Sequence, residues 1–247
     1  SEVLLHGYEE WGERLPEHLR GMFAFVIWDE KARTLFAARD PFGIKPLYYT
    51  IADGQFIFAS EIKGILPHPA CEKRMNPEAL EQYLSFQYSV LEDTFFQGIR
   101  RLLPGHCLTW RQSDSSLSSK RYFSPMPAPA DMEKGNAKSE KEWIDELDKA
   151  IEDSVKAHMI ADVEVGTFLS GGVDSSLIAA KFSGDKTFTV GYGKEDGYYN
   201  EIPLARELAE KLQLEQHNKR ISEKEFWEAV PEVMYHMDEP SGDSSAV

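Results

Sequence analysis

Apolar residues recur at helical spacing over residues 2–11, where Val3, Leu4, Gly7, Tyr8 and Trp11 share a face and Gly12 offers a stop. From residue 21 the period changes to that of a strand. Residues 22–28 are rich in β-formers, 29–32 read as a turn and 34–38 as the returning strand, so 21–40 predicts a hairpin closed by Asp40-Pro41-Phe42-Gly43. A second hairpin is expected from residues 47–51 and 55–60, joined through Asp53-Gly54, a strong turn dipeptide. A short helix over 61–66, a helix opened by Asn76-Pro77 and reaching about Gln87, and a final strand over 106–110 complete this half. The first half therefore reads as mostly antiparallel β with a few helices.

Residues 124–138 break the pattern. Pro125, Pro127 and Pro129, with Ala, Gly and Asn nearby, read as a linker. Ser139 then opens a long amphipathic helix with Trp143, Ile144, Leu147, Ile151 and Val155 along one face; its acid-rich stretch over 140–153 reads as a solvated surface. Beyond it the pattern alternates: strand 163–169, helix 174–182, strand 186–192, helix 202–212, strand 215–221 and helix 223–236, the last expected to kink at Pro231. Alternation of this kind predicts a parallel sheet with crossover helices. The domain reading is 1–124, a linker over 125–138, and 139–247.

Charge sharpens the division. The 247 residues carry a net charge of −15, distributed as −2 over residues 1–124 and −13 over 125–247. Global acidity argues against a nucleic-acid partner, which needs a basic footprint, although it leaves room for a nucleotide in a local pocket. The longest apolar run, over 23–28, is far short of the roughly 20 residues of a bilayer helix. Cys71 and Cys107 are too few to staple the chain, so free thiols and a reducing, cytoplasmic compartment are expected.

The candidate chemistry lies in Leu169-Ser170-Gly171-Gly172-Val173-Asp174-Ser175-Ser176, between a predicted strand and a predicted helix. In an open parallel sheet, ligands bind at the carboxyl ends of strands. Paired glycines let backbone N–H groups approach an anion, and the helix that follows presents its positive end. Ser170, Ser175 and Ser176 add hydroxyl donors. Asp174 fits beside a phosphate only with a divalent metal between them, since Mg²⁺ is commonly shared by a carboxylate and phosphate oxygens. The plainer alternative is a Gly-Gly turn in which Asp174 or a serine caps the helix.

Ser170-Gly171-Gly172-Val173-Asp174-Ser175 resembles the pyrophosphate loop of the ATP pyrophosphatases that adenylate a substrate. Arg39-Asp40-Pro41-Phe42-Gly43-Ile44-Lys45-Pro46-Leu47-Tyr48-Tyr49, Phe58-Ala59-Ser60-Glu61-Ile62-Lys63 and Leu102-Leu103-Pro104-Gly105-His106 resemble, in that order, the glutaminase domain of glutamine-hydrolysing asparagine synthetases. The resemblance implies an α+β N-terminal-nucleophile-type glutaminase domain followed by an α/β ATP-pyrophosphatase domain. It implies ATP and Mg²⁺ as cofactors, glutamine and aspartate as small-molecule substrates, and a homodimer. It gives the Arg39–Tyr49 stretch an architectural role. It puts Leu169, Ser170, Gly171, Gly172, Asp174, Ser175, Ser176 and Val190 around ATP and pyrophosphate, with Asp174 as metal ligand, and Asp238, Glu239 and Asp243 on the substrate side. It also implies that the catalytic cysteine of the glutaminase lies upstream of residue 1 and a second acidic motif beyond residue 247, so the sequence reads as an internal fragment that is inactive alone. Three other readings stay open: a related amidotransferase, a β-lactam-synthetase-like enzyme acting on another carboxylate, and a non-catalytic nucleotide sensor.

Overall fold

The computed structural model describes all residues except 128, 130, 133–137, 194–199 and 244–247. The chain forms two compact units, one of Ser1–Pro127 together with Glu232–Val247, the other of Ala128–Pro231. The linker expected over 125–138 contains the boundary at Pro127, though much of it lies outside the described residues. The C-terminal segment, expected to stay with the second domain, groups with the first unit.

In the first unit, α1 (Glu2–Trp11) ends at Gly12, whose φ of 56° suits a residue without Cβ. A 3₁₀ turn over Gly12–His18 follows. The first predicted hairpin forms as β1 (Ala24–Asp29) and β2 (Thr34–Arg39), the second as β3 (Tyr48–Ala52) and β4 (Gln55–Ala59). Asp53 and Gly54 both take positive φ, as the tight hairpin turn requires. The short helix α2 spans Ile62–Ile65 and α3 spans Pro77–Phe86, where the Asn76 side chain accepts the Glu78 N–H. Two elements have no counterpart in the expected pattern: the two-residue strand β5 (Arg100–Arg101), and β7 (Leu117–Arg121), which pairs with β6 (His106–Arg111) so that residues 106–110 are not the last strand.

The sheets run β1-β2-β6-β7 and β4-β3-β5, all antiparallel. Alternation along β2 divides the core. Leu35 and Ala37 pack with Leu47, Tyr49, Leu102, Leu108 and Trp110. Phe36 and Ala38 pack on the opposite face with Leu15, Phe25, Ile27 and Cys107, with Leu4 and Tyr8 of α1 against them. One sheet thus has a sheet on one face and a helix on the other.

The turn after β2 is held by charge. Asp40 is 1% exposed, and its carboxylate accepts the N–H groups of Phe42, Ile44 and Lys45 at 3.1, 3.0 and 2.9 Å. Arg39 donates to the carbonyls of Lys45, Leu102 and Gly43 at 2.7, 2.8 and 2.7 Å, and the Tyr122 hydroxyl donates to the Arg39 carbonyl at 2.6 Å. The architectural role expected for the Arg39–Tyr49 stretch has its physical basis here.

In the second unit, α4 (Glu140–His158) opens with a capping box between Ser139 and Glu142. Of the face expected to pack, only Val155 is buried; Trp143, Ile144 and Leu147 are exposed, because α4 meets its neighbouring helix near its C-terminal end. Strand β8 is shorter than expected, Thr167–Phe168, since Val163 stays exposed and pairing starts only at Thr167. Next come α5 (Val173–Lys181), β9 (Lys186–Tyr192), α6 (Ile202–Leu212), β10 (Glu215–Ile221) and α7 (Glu223–Met237). The sheet order is β10-β9-β8 and both pairings are parallel, as the alternation predicted. Pro231 lies inside α7, and the second unit ends there.

Burial opposes ionisation of Asp40, but the N–H groups of Lys45, Ile44 and Phe42 outweigh it and hold its pKa below the usual carboxylate range. The stabilisation is therefore present above the unfolded-state value of roughly 3.9 and is lost as pH falls through the folded value. Asp40→Asn leaves a buried N–H facing an amide donor and should cost about 1–3 kcal/mol. Urea unfolding of both proteins from pH 6 to pH 3 checks this: the wild type should lose its advantage over the variant as pH falls.

Candidate functional site

The candidate site is a strand–loop–helix junction in the second unit. The Leu169 N–H donates to the Phe188 carbonyl at 2.9 Å, extending the parallel pairing of β8 by one bond. The Thr189 hydroxyl donates to the Leu169 carbonyl at 2.7 Å, and the Gln216 amide donates to the Thr189 hydroxyl at 3.2 Å. Three adjacent chain segments thus fix the point where the loop leaves the sheet. Thr189 and Gln216 are not among the expected site residues, and a threonine in a strand gives no sign of such a role until strand order is known.

Gly171 has φ 80°, and a Cβ there would stand 2.7 Å from Leu204 Cβ. This glycine is required twice, by conformation and by the close approach of α6. Gly172 differs: its φ is −72°, and an added Cβ would meet only the Ser170 hydroxyl, at 3.4 Å. Ser170 and Ser175 hydroxyls lie 2.9 Å apart, the Gly172 N–H donates to Ser170 Oγ at 3.3 Å, and Ser175 Oγ donates to the Gly172 carbonyl at 3.2 Å.

The plainer reading, a side-chain helix cap, is not what forms. Gly172 occupies the N-cap of α5 and no side chain caps the helix. Asp174 sits exposed in the first turn, and Ser176 lies on the same turn, half-buried. The helix begins with a glycine, hydroxyl groups and one carboxylate at the carboxyl end of a parallel strand, which suits an anion bound together with a cation. Among the described residues, no three His, Cys, Asp or Glu side chains are placed to hold a metal by themselves. Asp174 therefore fits Mg²⁺ only as one ligand beside phosphate oxygens, the usual arrangement for that ion.

Val190 is exposed in β9, next to Thr189 and opposite Lys219 of β10. Asp238 accepts the N–H of Ile62 and pairs with Lys63, while Glu239 pairs with Arg101, all inside the first unit. The N–H of Asp243 donates to Ser241 Oγ at 3.2 Å. Neither cysteine is poised as a nucleophile: burial raises both thiol pKa values, with Glu13 adding to the effect at Cys107.

Residues 1–123 match the family model described as glutamine amidotransferase domain, and residues 146–247 the model described as asparagine synthase. The chain is similar over its whole length to glutamine-hydrolysing asparagine synthetases. It is 39% identical over its whole length to asparagine synthetase [glutamine-hydrolyzing] 1 of Bacillus subtilis, and 38% identical to a putative asparagine synthetase [glutamine-hydrolyzing] of Mycobacterium tuberculosis. It is 32% identical over 98% of its length to Amidase chyE of Penicillium rubens. In each case it spans only 38% of the relative's length.

The two loop glycines should respond differently to substitution. Gly171→Ala is expected to lower stability by about 1–3 kcal/mol through strain at positive φ. Gly172→Ala, at a φ that alanine adopts freely, should hold stability within about 0.5 kcal/mol or raise it slightly. Equilibrium unfolding of the two variants side by side checks the assignment.

Proposed function

We propose that the chain carries the amidotransferase fold and the nucleotide loop of an enzyme that makes asparagine from aspartate, glutamine and ATP. Residues 1–124 are read as an N-terminal-nucleophile-type glutaminase domain, 125–138 as the linker and 139–247 as an ATP-pyrophosphatase domain. In this reading, ammonia leaves the glutamine side chain in the first domain. In the second, the aspartate side-chain carboxylate attacks the α-phosphorus of ATP and expels pyrophosphate, and ammonia then attacks the acyl carbon and expels AMP. Activation is needed because a free carboxylate is a poor electrophile.

The observation that carries the reading is the uncapped start of α5 behind Ser170-Gly171-Gly172 at the end of β8. The Ser170, Ser175 and Ser176 hydroxyls and the first-turn N–H groups would hold pyrophosphate oxygens as negative charge builds on them. Asp174 would hold Mg²⁺, which supplies charge neutralisation on the phosphates when bound. Leu169 and Val190 would border the adenine, Leu169 through what its carbonyl still offers beyond Thr189. Asp243 keeps its proposed place on the substrate side. Two free thiols support a reducing, cytoplasmic setting for the enzyme. No described helix is long and apolar enough to cross a membrane. A homodimer is proposed from family likeness alone. The amidase name of the Penicillium relative favours one second reading, in which the same loop activates a different carboxylate.

The test uses the intact enzyme. Gly172→Ala adds a methyl where the phosphates would lie and should weaken ATP binding about tenfold to several hundredfold, equivalent to losing one or two charge-assisted hydrogen bonds. Glutamine hydrolysis measured on the same sample should persist. Asp174→Asn should lose aspartate-dependent pyrophosphate release together with its Mg²⁺ dependence. Wild-type ATP affinity in a folded Gly172→Ala protein would refute the loop assignment, and pyrophosphate release with another acid but not aspartate would move the reading to the other carboxylate.

A further inference from the structure

Asp238-Glu239 follows α7 and forms a pair of little-solvated carboxylates. The side chains are 5% and 10% exposed. Every carboxylate oxygen is taken. Asp238 Oδ2 accepts the Ile62 N–H at 2.6 Å, and Oδ1 accepts the Lys63 ammonium at 3.0 Å and the Lys63 N–H at 3.3 Å. Glu239 Oε1 accepts the Phe95 N–H at 3.0 Å and the Ser89 hydroxyl at 3.2 Å, and Oε2 pairs with Arg101.

The cations that receive these acids bond to further groups of the chain. Lys63 also reaches the His236 carbonyl at 3.4 Å and stands 5.2 Å from the centre of the Tyr235 ring, so it gathers the last turn of α7 too. Arg101 donates to the Ser89 carbonyl at 3.0 Å while its Nε is buried without a partner. That orphaned donor shows a guanidinium held for its place rather than for best hydrogen bonding. Buried ion pairs add little net stability, and their best-attested use is to fix register. The chain then adheres once more: the Gly242 N–H donates to the Gln87 carbonyl at 2.9 Å, and a Cβ at Gly242 would lie 2.6 Å from Gln87 Cβ. The contact joins residues far apart in sequence, and it explains Lys63 and Arg101, which the proposed chemistry leaves unused.

We propose that Asp238 and Glu239 are positioning residues that fasten the chain leaving α7 to Lys63 and Arg101, and that this fastening couples glutamine hydrolysis to amide synthesis. The proposal rests on the functional reading above. α7 begins in the second unit and ends in the first, and Asp238 and Glu239 fasten the path of the chain just beyond its end. A charge lost from either side should loosen that path without removing a group that touches a substrate.

The experiment measures glutamate release, glutamine-dependent asparagine formation and ammonia-dependent asparagine formation in the intact enzyme and in Asp238→Asn, Glu239→Gln and Lys63→Met. Ammonia-dependent synthesis and its KM values for ATP and aspartate should stay within about threefold of wild type, while glutamate released per asparagine formed should rise by about fivefold or more. Lys63→Met tests the receiving side should a carboxylate variant fail to fold. An unchanged glutamate-to-asparagine ratio in folded variants would overturn the proposal. So would a rise of about tenfold or more in KM for ATP or aspartate with ammonia as donor, the signature of a substrate ligand. If the wild type releases no pyrophosphate with ATP and aspartate, the functional reading itself fails and the proposal falls with it.

Discussion

A carboxylate taken out of water must be given donors, and the first unit is arranged around that demand. Asp40 follows β2, an inner strand of the four-stranded sheet, and turns the chain by collecting three N–H groups. Arg39 beside it gathers three carbonyls from the same turn and from Leu102, so the chain before β6 is tied to the chain after β2. The two sheets can share the Leu35–Leu47–Leu108 core only because this junction holds their strands at one end. Asp238 and Glu239 meet the same demand with ammonium, guanidinium and backbone donors. In all three cases the protein itself supplies donors to both carboxylate oxygens, which offsets the cost of burying the charge.

The candidate site is the opposite case. Around Gly171 and Gly172 the chain gathers backbone and hydroxyl groups that bond only within the loop, Gly172 N–H to Ser170 Oγ at 3.3 Å and Ser170 to Ser175 at 2.9 Å, and α5 starts without a side-chain cap. What the protein does fix is the frame. Thr189 and Gln216 lock the Leu169 carbonyl, and Gly171 lets α6 approach so closely that the loop has little freedom to move away. A rigid frame around donors that bond only within a short loop suits a preorganised anion site, because the frame requires no reorganisation when charge arrives.

The elements most legible in the sequence are those whose period and punctuation agree. The strand β9 and the helix α6 fall on their expected spans, because apolar alternation in one and an apolar stripe in the other are bounded by turn residues, while the polar β10 is placed by the alternation of strands and helices around it. Strand β7 is invisible to such reading because Ser118, Ser119, Lys120 and Arg121 sit on an edge that needs no apolar face, a common device for exposed edges. Strand β8 falls short of its apolar run because an apolar residue need not be a buried one, and Val163 is exposed. The loop itself is legible, since two glycines, three hydroxyls and an acid between strand and helix have few other uses. The partners of Asp238 and Glu239 are not. An ion pair between residues so distant in the chain leaves no local pattern, and an Asp-Glu-Pro string after a helix reads equally well as a ligand set or a solvated end.

Charge balance supplies the last link between the loop and its chemistry. The segment from Ser170 to Ser176 contains no Lys or Arg, and the unit that carries it lies in the acidic half of the chain. Lys181, at the other end of α5, is engaged with Asp148. A polyphosphate bound here would meet backbone dipoles and hydroxyls but no fixed cation on the loop, and it would meet the carboxylate of Asp174 as well. Dipoles at a helix N-terminus offset roughly half an elementary charge, well short of what a triphosphate carries. The deficit is the kind a divalent ion shared between Asp174 and the phosphates removes. An acid at this position, unhelpful beside a bare anion, thus becomes the feature that makes metal-dependent pyrophosphate binding the more economical use of the site.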